Sequence, residues 1–157
     1  MRQLNRYRLE GPNPLWQMYK TVSFFKVCRN FVVIELCRIL PSVKWKHYLF
    51  SKCLKMQLGH HVSFAYKAMP DLMFPELIKI GDNSIIGYNA TLLAHEYLTD
   101  EYRTGKITIG RNVLIGANVT VLPGVTIGDG AKVGAMTVVS KDIPANAFVY
   151  GNPMHIK

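Results

Sequence analysis

The sequence predicts an all-β core wound as a parallel β-helix, preceded by a basic helical segment and interrupted by one excursion loop. Three observations carry this. Aliphatic residues recur every six positions: Ile80, Ile86 and Leu92 form one series, and Ile109, Ile115, Val121, Ile127, Val133 and Val139 another. The residue after each reads Gly81, Gly87, Leu93, then Gly110, Gly116, Leu122, then Gly128, Gly134, Ser140. A turn-forming glycine is therefore lost at every third unit, and the full period is eighteen. Small or β-branched residues (Ser84, Ala90, Val113, Val119, Val125, Ala131 and Thr137) follow the aliphatic position by four. Three hexads per turn make three flat faces, and each coil buries its aliphatics only when stacked on neighbours at a strand spacing of about 4.8 Å. The hairpins of a sandwich, alternating with period two, do not keep a strict six.

In chain order, the 157 residues fit one domain, and 49% hydrophobic with 18% charged residues excludes a disordered chain. Residues 1–60 hold eleven Lys and Arg against Glu10 and Glu35, while residues 61–157 hold eight against eight, so the whole net charge of +9 is N-terminal. Residues 1–57 read as a basic helical cap and 58–157 as the β-helix. Pro14 is expected to open a helix running to Leu40, stopped by Pro41. Ser42 is expected to cap a second helix with Trp45, Leu49, Cys53 and Met56 along one stripe. Basic helices carrying Trp and Phe suit an anionic membrane surface, an oligomer contact or an acidic ligand; no motif supports nucleic acid. No stretch of 18 or more apolar residues could span a bilayer and no cleavable leader is seen. The expected location is cytoplasmic, with peripheral attachment to the inner membrane face as an option. Cys28, Cys37 and Cys53, odd in number and without CxxC spacing, read as buried small hydrophobes.

Between Leu92 and Ile109 the interval is seventeen residues instead of six, so eleven residues leave the coil, from about 96 to 106. This excursion holds Tyr97, Asp100, Glu101, Tyr102 and Arg103 and begins beside His95. Long loops on a regular scaffold tend to carry function.

The stretch IGDNSIIGYNATLLAHEY, followed by ITIGRNVLIGANVTVLPGVTIGDGAKVGAMTVVSKDIPANAFVYGNP, closely resembles the hexapeptide-repeat acyltransferases, in particular the maltose, galactoside and nodulation-factor O-acetyltransferase branch. The resemblance runs from about Leu58 to Pro153, and LPGVTIGDGA, SKDIPANA and GNP are its most specific strings. The N-terminal region with FPELIKIGDN looks like a narrower bacterial set of uncharacterised acetyltransferases. The resemblance implies left-handed winding, a homotrimer, acetyl-CoA as donor, and active sites in clefts between neighbouring prisms. It implies His95 as the catalytic histidine and Ala117, Ala135, Ser140 and Lys141 as CoA contacts. The arginine that follows GNP in the family falls on His155 and a second would lie beyond Lys157, so phosphate contacts pass to Lys141 or Lys157. The family's sugar-binding Asp and Asn fall on a poorly matched coil around Tyr66 to Leu77, and a sugar acceptor is not carried over.

Acyl transfer from a thioester to a hydroxyl needs a base that works near neutrality, and an imidazole is suited to it. His95 is expected to take the acceptor proton as the oxygen attacks and to return it to the departing sulfur, without an acyl-enzyme. Glu96 or Glu101 could orient the ring, although a backbone carbonyl is the simpler partner. Tyr97, Glu101 and Tyr102 are candidates to line the acceptor site. The acceptor is expected to be a sugar or a cell-envelope precursor, and an oxyanion donor to come from a backbone N–H of the adjacent subunit. A zinc enzyme of the γ-carbonic anhydrase kind would need three converging histidines, and only His95 lies in the repeat region, so no metal is expected. The alternative of another class is a non-catalytic trimeric scaffold docking on anionic membrane through its basic segment.

Overall fold

The computed structural model describes residues 2–157. Each hexad forms one short strand, and successive strands enter three parallel sheets in rotation. The first sheet stacks Gln57–Leu58, Ile78–Ile80, Ile107–Ile109 and Thr126–Ile127. The second stacks Ser63–Phe64, Ile85–Ile86, Leu114–Ile115, Lys132–Val133 and Phe148–Tyr150, with His155–Ile156 added antiparallel at its end. The third stacks Met69–Pro70, Thr91–Leu92, Thr120–Val121 and Val138–Val139. The register sets Ile109 beside Ile127, Ile115 beside Val133 and Val121 beside Val139, so the period of eighteen is the offset between these coils. All of these aliphatics are buried in one continuous core.

The glycines that directly follow the inward aliphatic do not themselves take the positive-φ turn position. Positive φ falls two positions later, on Asn83, Asn89, Asn112 and Asn118, a residue type that tolerates the left-handed region. These asparagines also bond from coil to coil, Asn83 Nδ2 donating to Asn112 Oδ1 at 2.8 Å and Asn89 Nδ2 to Asn118 Oδ1 at 2.9 Å. Glycine is required instead by the close approach of the next coil: a Cβ on Gly87 would lie 2.5 Å from the carbonyl oxygen of Ile115.

Two helices cover the open end of the first coil. The first, α1 (Phe24–Ile39), begins ten residues later than Pro14 suggested. The chain before it forms tight turns, with a single 3-10 turn at Met18–Lys20, because the Thr21 hydroxyl bonds the Met18 carbonyl and the Gln17 amide bonds the carbonyls of Glu10 and Pro12. The second, α2 (Val43–Lys52), is capped by Ser42, whose hydroxyl accepts from the Trp45 N–H. Its buried face differs from the expected stripe: Trp45 is 60% exposed, whereas Lys46 and Phe50 are buried. Phe50 meets Phe64 edge-on at 4.8 Å, and Lys46 lays its stem against the core while Nζ donates to the Ala65 carbonyl at 3.1 Å. Burial holds that ammonium below the ordinary lysine range. Cys37 is buried as expected, and burial pushes its thiol up to about 11; Cys28 is exposed, contrary to expectation.

The excursion is a β-hairpin rather than an irregular loop. His95–Tyr97 pairs antiparallel with Glu101–Thr104, and Asn5–Arg8, near the N-terminus, adds a third strand along it.

Candidate active site

The corner between the third and first sheets carries both early departures from the eighteen-residue period. Pro70 pairs with Leu92, an offset of twenty-two, so four extra residues leave the coil directly after Pro70. Ile80 pairs with Ile109, an offset of twenty-nine, so eleven leave at the same corner one coil later. The two insertions are stacked, and they bring Asp71 against His95.

Asp71 is 1% exposed, and its carboxylate accepts five N–H groups. Oδ1 takes the backbone N–H of Met73 and of Phe74, each at 2.8 Å. Oδ2 takes the backbone N–H of Ala94 at 2.6 Å and of His95 at 3.1 Å, and the His95 ring Nδ1 at 2.6 Å. A buried carboxylate needs such a set of partners to offset its lost hydration. An acceptor on Nδ1 selects the tautomer that leaves the Nε2 lone pair free. The turn that presents Asp71 is braced by α1, since the buried Asn30 donates to the Leu72 carbonyl at 2.8 Å and Lys26 pairs with Glu76 at 2.7 Å.

The His95 side chain is 16% exposed and lies between the Phe74 ring at 5.8 Å and the Tyr97 ring at 5.3 Å. The Tyr97 hydroxyl donates to Met73 Sδ at 3.3 Å and lies 3.3 Å from the Thr21 hydroxyl. Cross-strand register then places Tyr97, Tyr102 and Tyr7 in one row, with Tyr7 stacked on Tyr102 at 4.6 Å. Burial, and after it the phenols of Tyr7 and Tyr97, hold the Tyr102 hydroxyl above its ordinary pKa, so it stays a donor. Of the aromatic pair expected to line an acceptor site, Tyr97 is beside His95 and Tyr102 lies against Tyr97 at 5.7 Å.

The acidic residues of the hairpin are not. Glu96, Arg103 and Arg6 form the adjacent cross-strand row, which faces the other side of the sheet. Glu101 is buried and bound to Arg103, 2.6 Å from Nε and 2.5 Å from Nη2. Glu96 bridges Arg103 at 3.2 Å and Arg2 at 3.0 Å. The orienting role offered to Glu96, Glu101 or a backbone carbonyl is therefore taken by Asp71, and Glu101 is withdrawn from the histidine's surroundings. Asp71 had a signal in the sequence: Leu58, Phe64 and Pro70 extend the six-residue spacing backward, and Asp71 follows Pro70 as Leu93 follows Leu92.

The four positions expected to touch CoA fall on two edges. Ala117 and Ala135 stack at the corner between the second and third sheets, where the Met136 N–H bonds the Ala117 carbonyl at 2.9 Å. Ser140 and Lys141 lie at the corner between the third and first sheets, the edge that also carries His95. Both are exposed and, with Arg2, Leu4, Arg6 and Arg103, they line an open cavity of about 330 Å³. Among the described residues no group of three or more His, Cys, Asp or Glu side chains could hold a metal ion.

Residues 106–141 match the family described as bacterial transferase hexapeptide (six repeats). Over 156 residues the chain is 55% identical to "Putative acetyltransferase YvoF" of Bacillus subtilis (strain 168), covering 99% of this chain and 91% of that one. Among solved structures, galactoside acetyltransferase in complex with coenzyme A aligns with a TM-score of 0.62 at 28% identity, covering 85% of this chain and 80% of that one. A hexapeptide-repeat acetyltransferase from Vibrio cholerae aligns with a TM-score of 0.65 at 22% identity, covering 85% and 89%, which is a likeness of fold.

Proposed function

The chain belongs to the hexapeptide-repeat acetyltransferases, and from that premise we propose that it moves an acetyl group from acetyl-CoA to a hydroxyl, with His95 as general base in a left-handed β-helical homotrimer. It is a CoA-dependent acetyltransferase with acetyl-CoA as co-substrate. The single observation that carries the chemistry is the Asp71–His95 pair, 2.6 Å apart on stacked insertions.

In the first step Nε2 of His95 accepts the acceptor hydroxyl's proton while that oxygen forms a bond to the thioester carbonyl carbon. The imidazolium formed is stabilised by Asp71, which already holds Nδ1–H. Collapse of the tetrahedral adduct breaks the C–S bond, and Nε2–H returns the proton to the departing sulfur. Tyr97 and Phe74 wall the ring and limit competing water. Cys28, Cys37 and Cys53 lie on or just after the two helices, which favours direct attack over a covalent relay. The separation of Ala117 and Ala135 from Ser140 and Lys141 onto two edges supports a groove completed by a neighbouring chain, with the acetyl donor between prisms. The test is CoA-thiol release from acetyl-CoA across a panel of sugars, amino sugars and lipid-linked glycans. Release that depends on a hydroxyl acceptor supports the reading; release driven only by amines contradicts O-acetylation.

The acetyltransferase relatives and the Asp71–His95 geometry displace a non-catalytic scaffold, while its membrane component remains as a second reading, carried by a specific surface. On α1, Phe25, Cys28, Val32, Leu36 and Ile39 recur at spacings of three and four and all are exposed. On α2, the exposed Trp45 and Tyr48 stand beside exposed Lys44 and Lys52. No helix among the described residues is long and apolar enough to cross a membrane. An apolar stripe flanked by aromatic and basic residues suits the interface of an anionic bilayer, the cytoplasmic leaflet in this reading, and would bring the site to a membrane-borne acceptor. The protein is expected to pellet with phosphatidylglycerol-containing vesicles and to be released by salt. Equal binding to purely zwitterionic vesicles, or none to either, contradicts this reading.

A further inference from the structure

We propose that the N-terminal region is part of the catalytic apparatus, with Thr21 and Lys26 as positioning residues that set the two aromatic walls of the His95 ring; the inference rests on the acetyltransferase reading. The contact to Asp71 fixes one ring atom, Nδ1, and leaves the imidazole to turn about that contact. A general base works only while Nε2 points along the line on which the hydroxyl proton departs, so a second restraint is needed. The rings of Phe74 at 5.8 Å and Tyr97 at 5.3 Å supply it, each standing edge-to-face with His95, at 67° and 74°. Both walls are tied to the N-terminal region.

Tyr97 stands on a hairpin that leaves the coil, and two short strands are marginal without outside support. The N-terminal region gives that support at three points. Asn5–Arg8 pairs along the hairpin, Arg2 bonds Glu96 at 3.0 Å, and the Thr21 hydroxyl meets the Tyr97 hydroxyl at 3.3 Å. The two residues that follow His95 are thus both tied to the chain that precedes α1. The one Thr21 hydroxyl proton goes to the Met18 carbonyl at 2.8 Å, so toward Tyr97 its oxygen is the acceptor. The phenol proton is shared between that oxygen and Met73 Sδ, which pins the far end of the ring. On the opposite wall, Lys26 Nζ lies over the Phe74 ring, 5.0 Å from its centroid, while it pairs with Glu76 at 2.7 Å. Between the two, Val22 and Val27 are buried with Met73 and pack against Phe74 and Tyr97. Thr21 and Lys26 are five residues apart, so one short stretch of chain sets both walls.

The first experiment reads the imidazole itself and needs no acceptor. In the full chain the Nδ1–H proton held by Asp71 is assigned in proton spectra by its loss in His95→Ala, and its exchange with water is measured by saturation transfer. Thr21→Val and Lys26→Gln are each expected to speed that exchange by about tenfold, because a ring with one wall released leaves Asp71 more often. Thr21→Ser, which keeps the hydroxyl, and Tyr7→Phe, at the far end of the tyrosine row, leave it as it was. Thiol release is then followed with acetyl-CoA and the fastest hydroxyl acceptor of the panel above. Thr21→Val and Lys26→Gln are expected to lower kcat by about tenfold with the KM for acetyl-CoA unchanged, and Thr21→Ser restores it. On top of His95→Ala neither substitution lowers the rate further, since both act through that ring. Thermal unfolding of each variant sets a measuring temperature well below its Tm. Unchanged exchange in both variants, or a tenfold loss that persists on top of His95→Ala, overturns the positioning role while leaving acetyl transfer standing. Faster exchange in a chain that releases thiol to no hydroxyl supports the brace and contradicts the O-acetylation reading.

Discussion

His95→Ala is expected to lower kcat by about 10²- to 10⁴-fold while leaving the KM for acetyl-CoA nearly unchanged. In the proposed mechanism the imidazole acts on the proton of the acceptor hydroxyl, an interaction made as the transition state forms, whereas the coenzyme contacts are expected along the coil edges. A hydroxyl without a base must attack with its proton in place, and water is a poor substitute at neutral pH. Truncation removes one of the five N–H donors of the buried Asp71 but leaves its four backbone donors, so the variant is expected to fold with some loss of stability. Steady-state thiol release at saturating acetyl-CoA, at a temperature well below the melting range of the variant, reads the effect directly. Activity within tenfold of the original would assign the proton to another group.

Asp71→Asn is expected to damage both stability and turnover. The carboxylate accepts five N–H groups, and all of its lone-pair directions are used. An amide of the same shape keeps one acceptor oxygen and turns an NH2 donor toward N–H donors, whichever way it flips. Buried N–H groups then lose their partner, at about 1–3 kcal/mol each in a site closed to water. A net loss of about 3 kcal/mol corresponds to about 10 °C in Tm for a domain of this size. Below the melting range the variant still folds, and there kcat is expected to fall on the order of 10²-fold, because the ring is no longer fixed in the tautomer that presents a free Nε2. Differential scanning calorimetry and thiol release at a temperature well below Tm separate the two effects. A stable variant with full turnover would remove Asp71 from the mechanism.

Much of the coil was legible because its pattern is local and repeated. An inward aliphatic every six residues, and a corner glycine lost at every third, report the three sheets and the offset between them. His95 was legible because it stands where a regular pattern breaks. Other features depend on contacts between distant parts of the chain, which no local pattern carries. Asp71 reaches His95 from 24 residues away only because two insertions of different length leave the same corner on adjacent coils. The strand Asn5–Arg8 alternates arginine with polar and aromatic residues and buries none of them, so nothing in it announced a partner; the hairpin nearly a hundred residues later supplies one. Lys46, which is off the stripe of Trp45, Leu49, Cys53 and Met56, is buried because the carbonyls of Phe64 and Ala65 at the coil end receive its ammonium. The repeat glycines Gly81, Gly87, Gly110, Gly116 and Gly128 were found at the right positions for the wrong reason, since backbone proximity and not a positive φ requires them.

A crystal structure of the protein with CoA and a hydroxyl-bearing acceptor analogue bears most directly on the account. It is expected to show the coenzyme thiol and the acceptor oxygen both within hydrogen-bond reach of His95 Nε2, with the Asp71 contact to Nδ1 kept. A thiol bound away from His95, or an imidazole turned so that Nε2 faces Asp71, would contradict it.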